Sequence, residues 1–170
     1  MSNDYLGDTN FASSLFVTSR KEHIKADAFF QKIKASKGRI YLSRVALAEV
    51  EFGFELNPSI PVTVKQQMTI GIGAYQILEI GKHTTNPYAK IRAALFNQKC
   101  PRNKKNQIKT NLRPEFFTAL SPTAYELGIQ ENDLWMAAIA VERNMTLVTQ
   151  DKMNQLKSVF PTLQLEDWTI

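Results

Sequence analysis

The stretch NDLWMAAIAVERNMTLVTQD, residues 132–151, decides the fold of this chain because it joins an apolar helix to a buried strand. Asp133 opens an alanine-rich segment with the length and composition of a buried helix, and the apolar run MTLVT at 145–149 predicts a strand. Asp151 follows that strand almost at once. The pattern predicts an α/β unit with one acid at the start of its helix and another at the end of its strand.

Alternating strands and helices extend from this unit through the rest of the chain. Short apolar runs predict strands at 4–8, 39–42, 75–80 and 163–168, and periodic stretches predict helices at 10–16, 22–37, 45–56, 62–73, 88–98 and 151–160. This order predicts a three-layer α/β/α domain, in which helices cover both faces of a mainly parallel, roughly five-stranded sheet. We expect one domain over residues 1–170, with a basic insertion at about 97–124.

The N-terminal caps of three helices and the inward face of one helix can also be predicted. Asn10, Ser43 and Asn132 each precede a helical stretch and carry side chains that cap helix N-termini well. In the helix at 22–37, the spacing of apolar residues predicts an inward face that includes Ile24, Ala28 and Ile33, with lysines outside.

Four acids are predicted to meet at one edge of the sheet, because the carboxyl ends of parallel strands lie together. Asp8 and Asp151 end strands, and Asp133 opens a helix that starts at the same edge. Glu49 lies early in its own helix, within reach of that edge. Converging carboxylates repel one another and lose hydration, and a hard cation such as Mg²⁺ or Mn²⁺ offsets that cost. The four acids are therefore candidate metal ligands and catalytic residues.

Small polar residues next to the acids, Thr9, Asn10 and Thr149, are candidates to orient the carboxylates. Each acid taken singly also has an ordinary explanation, as a helix cap, a favourable charge at a helix start or a solvated surface residue. The metal-site hypothesis depends on all four acids lying on one rim of one sheet.

Composition narrows the class of protein. The N-terminus lacks the features of a signal peptide and no stretch is long and apolar enough to span a bilayer, so we expect a cytoplasmic protein with no membrane partner. The single cysteine, Cys100, excludes an intramolecular disulfide and a cysteine-based zinc site. The two histidines match no metal-ligand or nucleophile spacing.

The net charge of +5 is concentrated in one polar segment. Without its six cations the chain would carry one net negative charge; they are Lys99, Arg102, Lys104, Lys105, Lys109 and Arg113. A local basic run attracts polyanions, so these residues are candidate RNA-binding positions. The alternative interpretation is a solvated loop with no dedicated partner.

In order, the four acids lie in stretches that resemble a known family. YLGDTNFASSLF, IYLSRVALAEVEFGFE, NDLWMAAIAVERNMTLVTQD and LQLEDW resemble the PIN-domain ribonucleases, and among them the VapC-type toxins of toxin–antitoxin pairs. The family pattern carries its acids at the positions of Asp8, Glu49, Asp133 and Asp151. The middle stretch YQILEIGKHTTNPYAKIRAAL also resembles the family's third strand and the helix after it.

The resemblance implies a PIN-like fold and a Mg²⁺- or Mn²⁺-dependent endoribonuclease that hydrolyses RNA phosphodiester bonds. It also implies a cognate antitoxin protein as partner and a homodimer, for which the apolar helices between Glu22 and Phe54 are available. One departure is the interval of 84 positions from Glu49 to Asp133, which is long for a compact VapC-type protein. The excess falls on the basic insertion, which the resemblance does not cover.

Two other functions remain open at this point. In a non-catalytic RNA-binding or regulatory PIN module, the acids would be vestigial and the basic segment would bind RNA. A phosphatase of the haloacid-dehalogenase type also carries acids after strands, but it needs a second acid two residues after the first. Asn10 occupies that position here, which weighs against the phosphatase.

Overall fold

The computed structural model describes residues 4–99, 104–105, 129–151 and 153–170. In chain order the elements are β1 Asp4–Gly7, α1 Thr9–Phe16, α2 His23–Ala35, β2 Arg39–Ser43, α3 Arg44–Leu56, α4 Val62–Gly73, β3 Ile77–Leu78, α5 Thr85–Lys99, α6 Glu131–Arg143, β4 Thr146–Val148, α7 Asn154–Val159 and β5 Gln164–Glu166. The predicted alternation of strands and helices is confirmed, although β1, β3, β4 and β5 are shorter than expected.

All five strands are parallel and lie in the order β3-β2-β1-β4-β5. The chain therefore winds outward from β1 in one direction through β2 and β3, and returns to the other side of β1 with β4 and β5. The gap between the carboxyl ends of β1 and β4 is the point where the winding reverses, and ligands of open parallel sheets collect at such points.

Side chains of the central strands alternate between two apolar layers. Leu6 of β1 and Leu147 of β4 are paired in register, are fully buried and pack with Ile91 of α5 and Ile139 of α6. On the opposite face, Val148 packs with residues of α1 and α2 and with Trp168 near the C-terminus. A separate apolar cluster joins α1, α3 and α4 to β2. The predicted three-layer arrangement is thus confirmed.

The starts of the helices differ in part from the prediction. Ser43 caps α3 as expected, because its hydroxyl accepts a hydrogen bond from the backbone N–H of Ala46 at 3.0 Å. The cap of α1 is Asp8 and not Asn10, since the buried carboxylate reaches the N–H of Phe11 and the helix already begins at Thr9. Asn132 is not a cap either, because α6 begins at Glu131 after Gln130.

The inward face of α2 was predicted wrongly for two of its three named positions. Ile33 is buried as expected, together with Ala26 and Phe29. Ile24 is 80% exposed, and Ala28 is also exposed. The reason is that Phe29 packs against the rings of Tyr5 and Phe11, and this aromatic cluster sets the rotation of the helix.

Candidate functional site

The point where the winding reverses carries two of the four predicted acids. Asp8 follows β1, and its backbone N–H donates to the carbonyl of Val148 at 3.1 Å. Thr149 and Asp151 follow β4, and the backbone N–H of Asp151 donates to the hydroxyl of Thr149 at 3.0 Å. The parallel pairing of β1 with β4 therefore places both acid-bearing loops side by side, as the sequence predicts.

Asp8 is a buried carboxylate, with 3% of its surface exposed. Its pKa is raised from 3.8 to about 7, with burial as the largest cause and the charges of Asp151 and Asp133 as smaller ones. Hydrogen bonds from Phe11 and Thr149 oppose this shift. The Phe11 N–H lies 2.6 Å from Oδ1. Helix capping accounts for one bond of this side chain but not for the cluster of acids around it.

Asp133 lies in the first turn of α6 and is partly buried. Its pKa is raised from 3.8 to about 6, with burial as the largest cause and the charges of Asp151 and Glu49 as smaller ones. A hydrogen bond with the backbone of Gln130 opposes this shift. The charges of Asp151 and Glu49 raise the pKa of Asp133, and the charges of Asp133 and Asp151 raise the pKa of Asp8. All four acids therefore belong to one electrostatic cluster.

Glu49 is held by side chains from two other helices. The hydroxyl of Thr9, in α1, donates to Oε2, and the amide Nδ2 of Asn132, in α6, donates to Oε1 at 2.7 Å. Both carboxylate oxygens of Glu49 are thereby held at the edge of the sheet where the acid cluster lies. Such bonds fix the direction of a carboxylate that is to bind a cation.

Asp151 is the most exposed of the four acids, and the turn after it is strained. Met153 has a positive φ of 31°, which is unusual for a residue with a side chain. Its side chain is nevertheless only 9% exposed and packs with the apolar core. Burial of the Met153 side chain thus offsets the strain of its backbone conformation.

No basic side chain of the described residues forms an ion pair with any of the four acids. The cluster is therefore negative and uncompensated within that part of the chain. Mg²⁺ and Mn²⁺ prefer oxygen ligands, and all four side chains are carboxylates. The chemical type of these residues therefore suits a hard divalent cation. They do not yet form a closed cage, because no three acids or histidines of the described residues are grouped tightly enough to hold a metal ion.

The supporting residues differ in part from those predicted. Thr149 contacts Asp8 as expected. Asn10 is half-buried, and within the described ranges no hydrogen bond links its side chain to the acids. Thr9 supports a carboxylate as predicted, and Asn132 does so unexpectedly, as the two donors to Glu49. Their sequence signal is adjacency to Asp8 and Asp133, since residues beside an acid at the sheet edge lie at the same edge.

Three of the six predicted RNA-binding residues lie outside the described part of the chain. Lys104 and Lys105 occupy an exposed turn, and Lys99 is the last residue of α5. The remaining three, Arg102, Lys109 and Arg113, fall in ranges that the structure does not describe. The same holds for most of the predicted insertion at about 97–124.

Two grooves lie on either side of Glu49. The first, which we call the α1–α4 groove, has a volume of about 300 Å³ and is mainly apolar, with Arg20, Gly53, Phe54, Val64 and Met68 among its lining residues. The second, the α3–α6 groove, has a volume of about 330 Å³ and is lined by residues of α3 and α6 together with Ile80. Glu49 contributes to the walls of both.

Comparisons with known proteins agree with this geometry. The family model described as PIN domain matches residues 5–159. A search of curated proteins found no match. Within the described ranges, no helix is long and apolar enough to cross a membrane.

Solved structures share the fold over nearly the whole chain. VapBC2 from Rickettsia felis, bound to a DNA fragment from its promoter, has 21% identity and a TM-score of 0.63, and covers 97% of this chain and 98% of that one. VapBC-1 from nontypeable Haemophilus influenzae has 20% identity and a TM-score of 0.64, with 98% and 99% covered. DNA-bound VapBC from Salmonella typhimurium has 18% identity and a TM-score of 0.59, with 99% of each chain covered.

Proposed function

The chain belongs to the PIN-domain family, and from that premise we propose that it is a metal-dependent endoribonuclease and the toxin of a toxin–antitoxin pair. PIN domains are generally nucleases that use divalent metal ions. The observation that carries the proposal is the uncompensated cluster of four carboxylates at the reversal point of the sheet, two of which have raised pKa values. Such a cluster costs desolvation and charge repulsion, which a bound cation would offset.

Each acid has a role that follows from its surroundings. Asp8 and Asp133 are the principal ligands, because their raised pKa values show where added positive charge is stabilised most. Glu49 and Asp151 bind directly or through water. Thr9, Asn132 and Thr149 are positioning residues that hold the carboxylates in place. The bound metal supplies a Lewis acid and a water of lowered pKa for attack on a phosphodiester.

RNA as the substrate is supported by the charge distribution. The acid cluster would repel a polyanion, so binding needs a separate positive surface. Lys104 and Lys105, in their exposed turn, belong to the basic segment between α5 and α6 that offers such a surface. A candidate metal site at the acids, together with cations elsewhere on the chain, suits a nucleic acid better than a small phosphate ester.

The decisive experiment is cleavage of a mixed structured RNA pool by the purified protein, with Mn²⁺, with Mg²⁺ and with EDTA. We expect cutting only with a metal, and its loss in Asp8→Asn and Glu49→Gln. Glu51→Gln is the matched control, because this exposed acid lies on the same helix only two residues away. Cleavage that survives both site variants would exclude the proposed active site.

The non-catalytic RNA-binding module remains the second candidate function. Its supporting observation is that the acids do not form a closed cage in the described part of the chain. It predicts salt-dependent retention of RNA with no cleavage under any metal condition, and equal retention by Asp8→Asn. Metal-dependent cutting would rule it out.

An antitoxin partner is supported by the α1–α4 groove. Structures of the same fold include complexes named VapBC toxin–antitoxin systems, such as VapBC-5 from Mycobacterium tuberculosis. The groove is apolar and reaches Glu49, so it suits an apolar antitoxin segment whose basic residue approaches the acids. Gly53 lies in its wall with open space around its Cβ position.

Filling the groove tests this partner. Gly53→Leu adds an apolar side chain whose Cβ meets no atom within 4 Å, and it replaces a poor helix former in α3. We expect the variant to fold and to lose co-purification with the cognate antitoxin, while Gly73→Leu, also in open space but outside the groove, keeps it. Retention by Gly53→Leu would place the antitoxin elsewhere.

A homodimer is the last part of the proposal. Apolar residues on the helices between Glu22 and Phe54 remain solvent-exposed, with Ile24 on α2 at 80% exposure. Exposed aliphatic residues of this kind suit a contact between copies. Sedimentation of the wild-type protein and of Ile24→Glu measures it, and a monomeric wild type would contradict it.

A further inference from the structure

The α3–α6 groove on the far side of Glu49 has walls that the acid cluster does not use. Its lining includes Arg44, Glu49, Phe52, Ile80, Asn132 and Trp135. Phe52 is 65% exposed and Ile80 is 42% exposed, although both border a cavity of about 330 Å³. An aromatic ring left in water beside a concave surface does not stabilise the fold. Exposed apolar surface of this kind is typical of a ligand-binding groove.

The indole of Trp135 is held rigidly in this groove. Its ring stacks on Tyr88 of α5 with centroids 3.9 Å apart and planes 13° apart. Tyr88 is fixed in turn, because its hydroxyl donates to Glu131 and accepts from Arg92. A fixed aromatic wall loses little entropy when a second flat group binds against it.

One end of the groove is polar and belongs to the acid cluster. Asn132 and Glu49 line this end and are joined by the 2.7 Å bond from Nδ2 to Oε1. Arg44 lies at the other side, and its guanidinium pairs with the exposed Glu79. The groove thus combines aromatic and aliphatic walls with an amide and a carboxylate, next to the position proposed for the reacting phosphate.

We propose that the α3–α6 groove binds an unpaired nucleobase of the RNA strand, in the nucleotide adjacent to the cleaved phosphate. This inference rests on the proposed ribonuclease function. A nucleobase is flat and apolar on its faces, which suits Phe52 and Trp135. It carries donors and acceptors on its edge, which suit the side-chain amide of Asn132. A second protein copy would have to bury that amide and carboxylate against its own surface at a cost.

Phe52 allows a test that does not disturb the fold, because the residue is exposed. Binding of a fluorescein-labelled single-stranded RNA octamer is measured in the inactive Asp8→Asn background. We expect Phe52→Ala to weaken binding about 5- to 100-fold, Phe52→Leu to weaken it similarly, and Phe52→Tyr to retain it, because stacking needs the ring. Leu56→Ala is the matched control, since Leu56 is 71% exposed on the same helix but does not line the groove.

Tryptophan fluorescence provides a direct readout of base binding next to Trp135. Trp168 is only 1% exposed, so quenching by unlabelled oligouridylate would come from Trp135. We expect quenching by the intact octamer, weaker quenching by an octamer with abasic positions, and none in Trp135→Phe. Equal quenching by intact and abasic strands would overturn the proposal.

Two further outcomes would also overturn it. If the Phe52→Leu variant binds RNA as tightly as the protein with Phe52, the groove contributes an apolar surface and not ring stacking. If Phe52→Ala halves the mass of the protein in sedimentation, the groove belongs to a contact between copies. Neither measurement requires cleavage, so a wild-type protein that fails to cut RNA with Mn²⁺ would exclude the nuclease and leave base binding measurable.

Discussion

Asp8 shows at the scale of one residue how a fold accommodates a costly group. The carboxylate caps α1 through the Phe11 N–H, and yet burial raises its pKa from 3.8 to about 7. One good hydrogen bond therefore does not offset the loss of hydration and the charges of Asp133 and Asp151. The buried charge of Asp8 therefore lowers the stability of the metal-free protein, and a bound cation would restore it.

Replacing Asp8 by Asn should stabilise the metal-free protein at high pH. A carboxyl group whose pKa is raised in the folded state contributes most below its unfolded pKa, and this contribution is lost as the pH rises through the folded pKa of about 7. Asn keeps the cap without the charge. Urea unfolding in EDTA should show a gain of roughly 1–3 kcal/mol at pH 8.

The same comparison at pH 4 is the internal control for this prediction. The folded carboxyl group is then protonated and the unfolded one, with its ordinary pKa of 3.8, is only about half ionised, so the advantage of Asn should shrink to a small fraction. A gain that is independent of pH would show that the burial of the charge is not its cause.

Thr9 is expected to act through Glu49. Its hydroxyl donates to Oε2, so Thr9→Val removes the bond and keeps the shape, while Thr9→Ser restores the hydroxyl. We expect Thr9→Val to lower metal-dependent cleavage about 10- to 100-fold, and Thr9→Ser to retain most of it. Rates measured over a range of Mn²⁺ concentrations test this, since equal activity of the two variants would mean that Glu49 needs no positioning from α1.

At the scale of elements, the close approach of α4 to α1 depends on one glycine. A Cβ on Gly71 would lie 2.3 Å from the ring of Phe16, which also packs against Tyr75. Gly73, in the same helix, has open space around its Cβ position. The two glycines of α4 therefore have different physical roles despite their similar sequence context.

Alanine at these two positions should have opposite effects on stability. Gly71→Ala forces Phe16 or the helix to move, and we expect a loss of about 1–3 kcal/mol in the free energy of unfolding. Gly73→Ala should be neutral or gain up to about 1 kcal/mol, because it reduces the freedom of the unfolded chain. Denaturant titration of both variants measures this, and equal behaviour would mean that the α1–α4 contact is loose.

The elements also show what a single sequence can predict. Strand and helix order follows from apolar runs and their periods, and Ser43 caps α3 as its position suggests. The rotation of α2 does not follow, because Phe29 is placed by the rings of Tyr5 and Phe11, which are distant in the sequence. Tertiary packing overrides a weak amphipathic pattern of this kind.

The candidate site was predictable at its acids but not at all of their supports. Asp8 and Asp151 follow adjacent parallel strands, so topology alone brings them together. Asn132 was expected to cap α6, and instead it bonds to Glu49, 83 positions away. Contacts at such separations depend on the relative placement of α3 and α6, which local patterns do not encode.

For the whole molecule, the four acids couple metal binding to pH. Asp8 and Asp133 have pKa values raised to about 7 and about 6, so both are largely protonated in the metal-free protein at pH 5. A cation must displace those protons before it binds. We therefore expect Mn²⁺ affinity to rise about 10-fold per pH unit for each proton displaced, and to level off above pH 7.

Calorimetric titration with Mn²⁺ at pH 5.5, 6.5 and 8 measures this coupling. The number of protons released should fall from nearly two toward zero as the pH rises, because the carboxyl groups ionise before the metal arrives. Asp8→Asn should remove the contribution with the pKa of about 7 and leave that of Asp133. An affinity that does not change with pH would mean that the cation binds away from these acids, and the proposed active site would then be wrong as a whole.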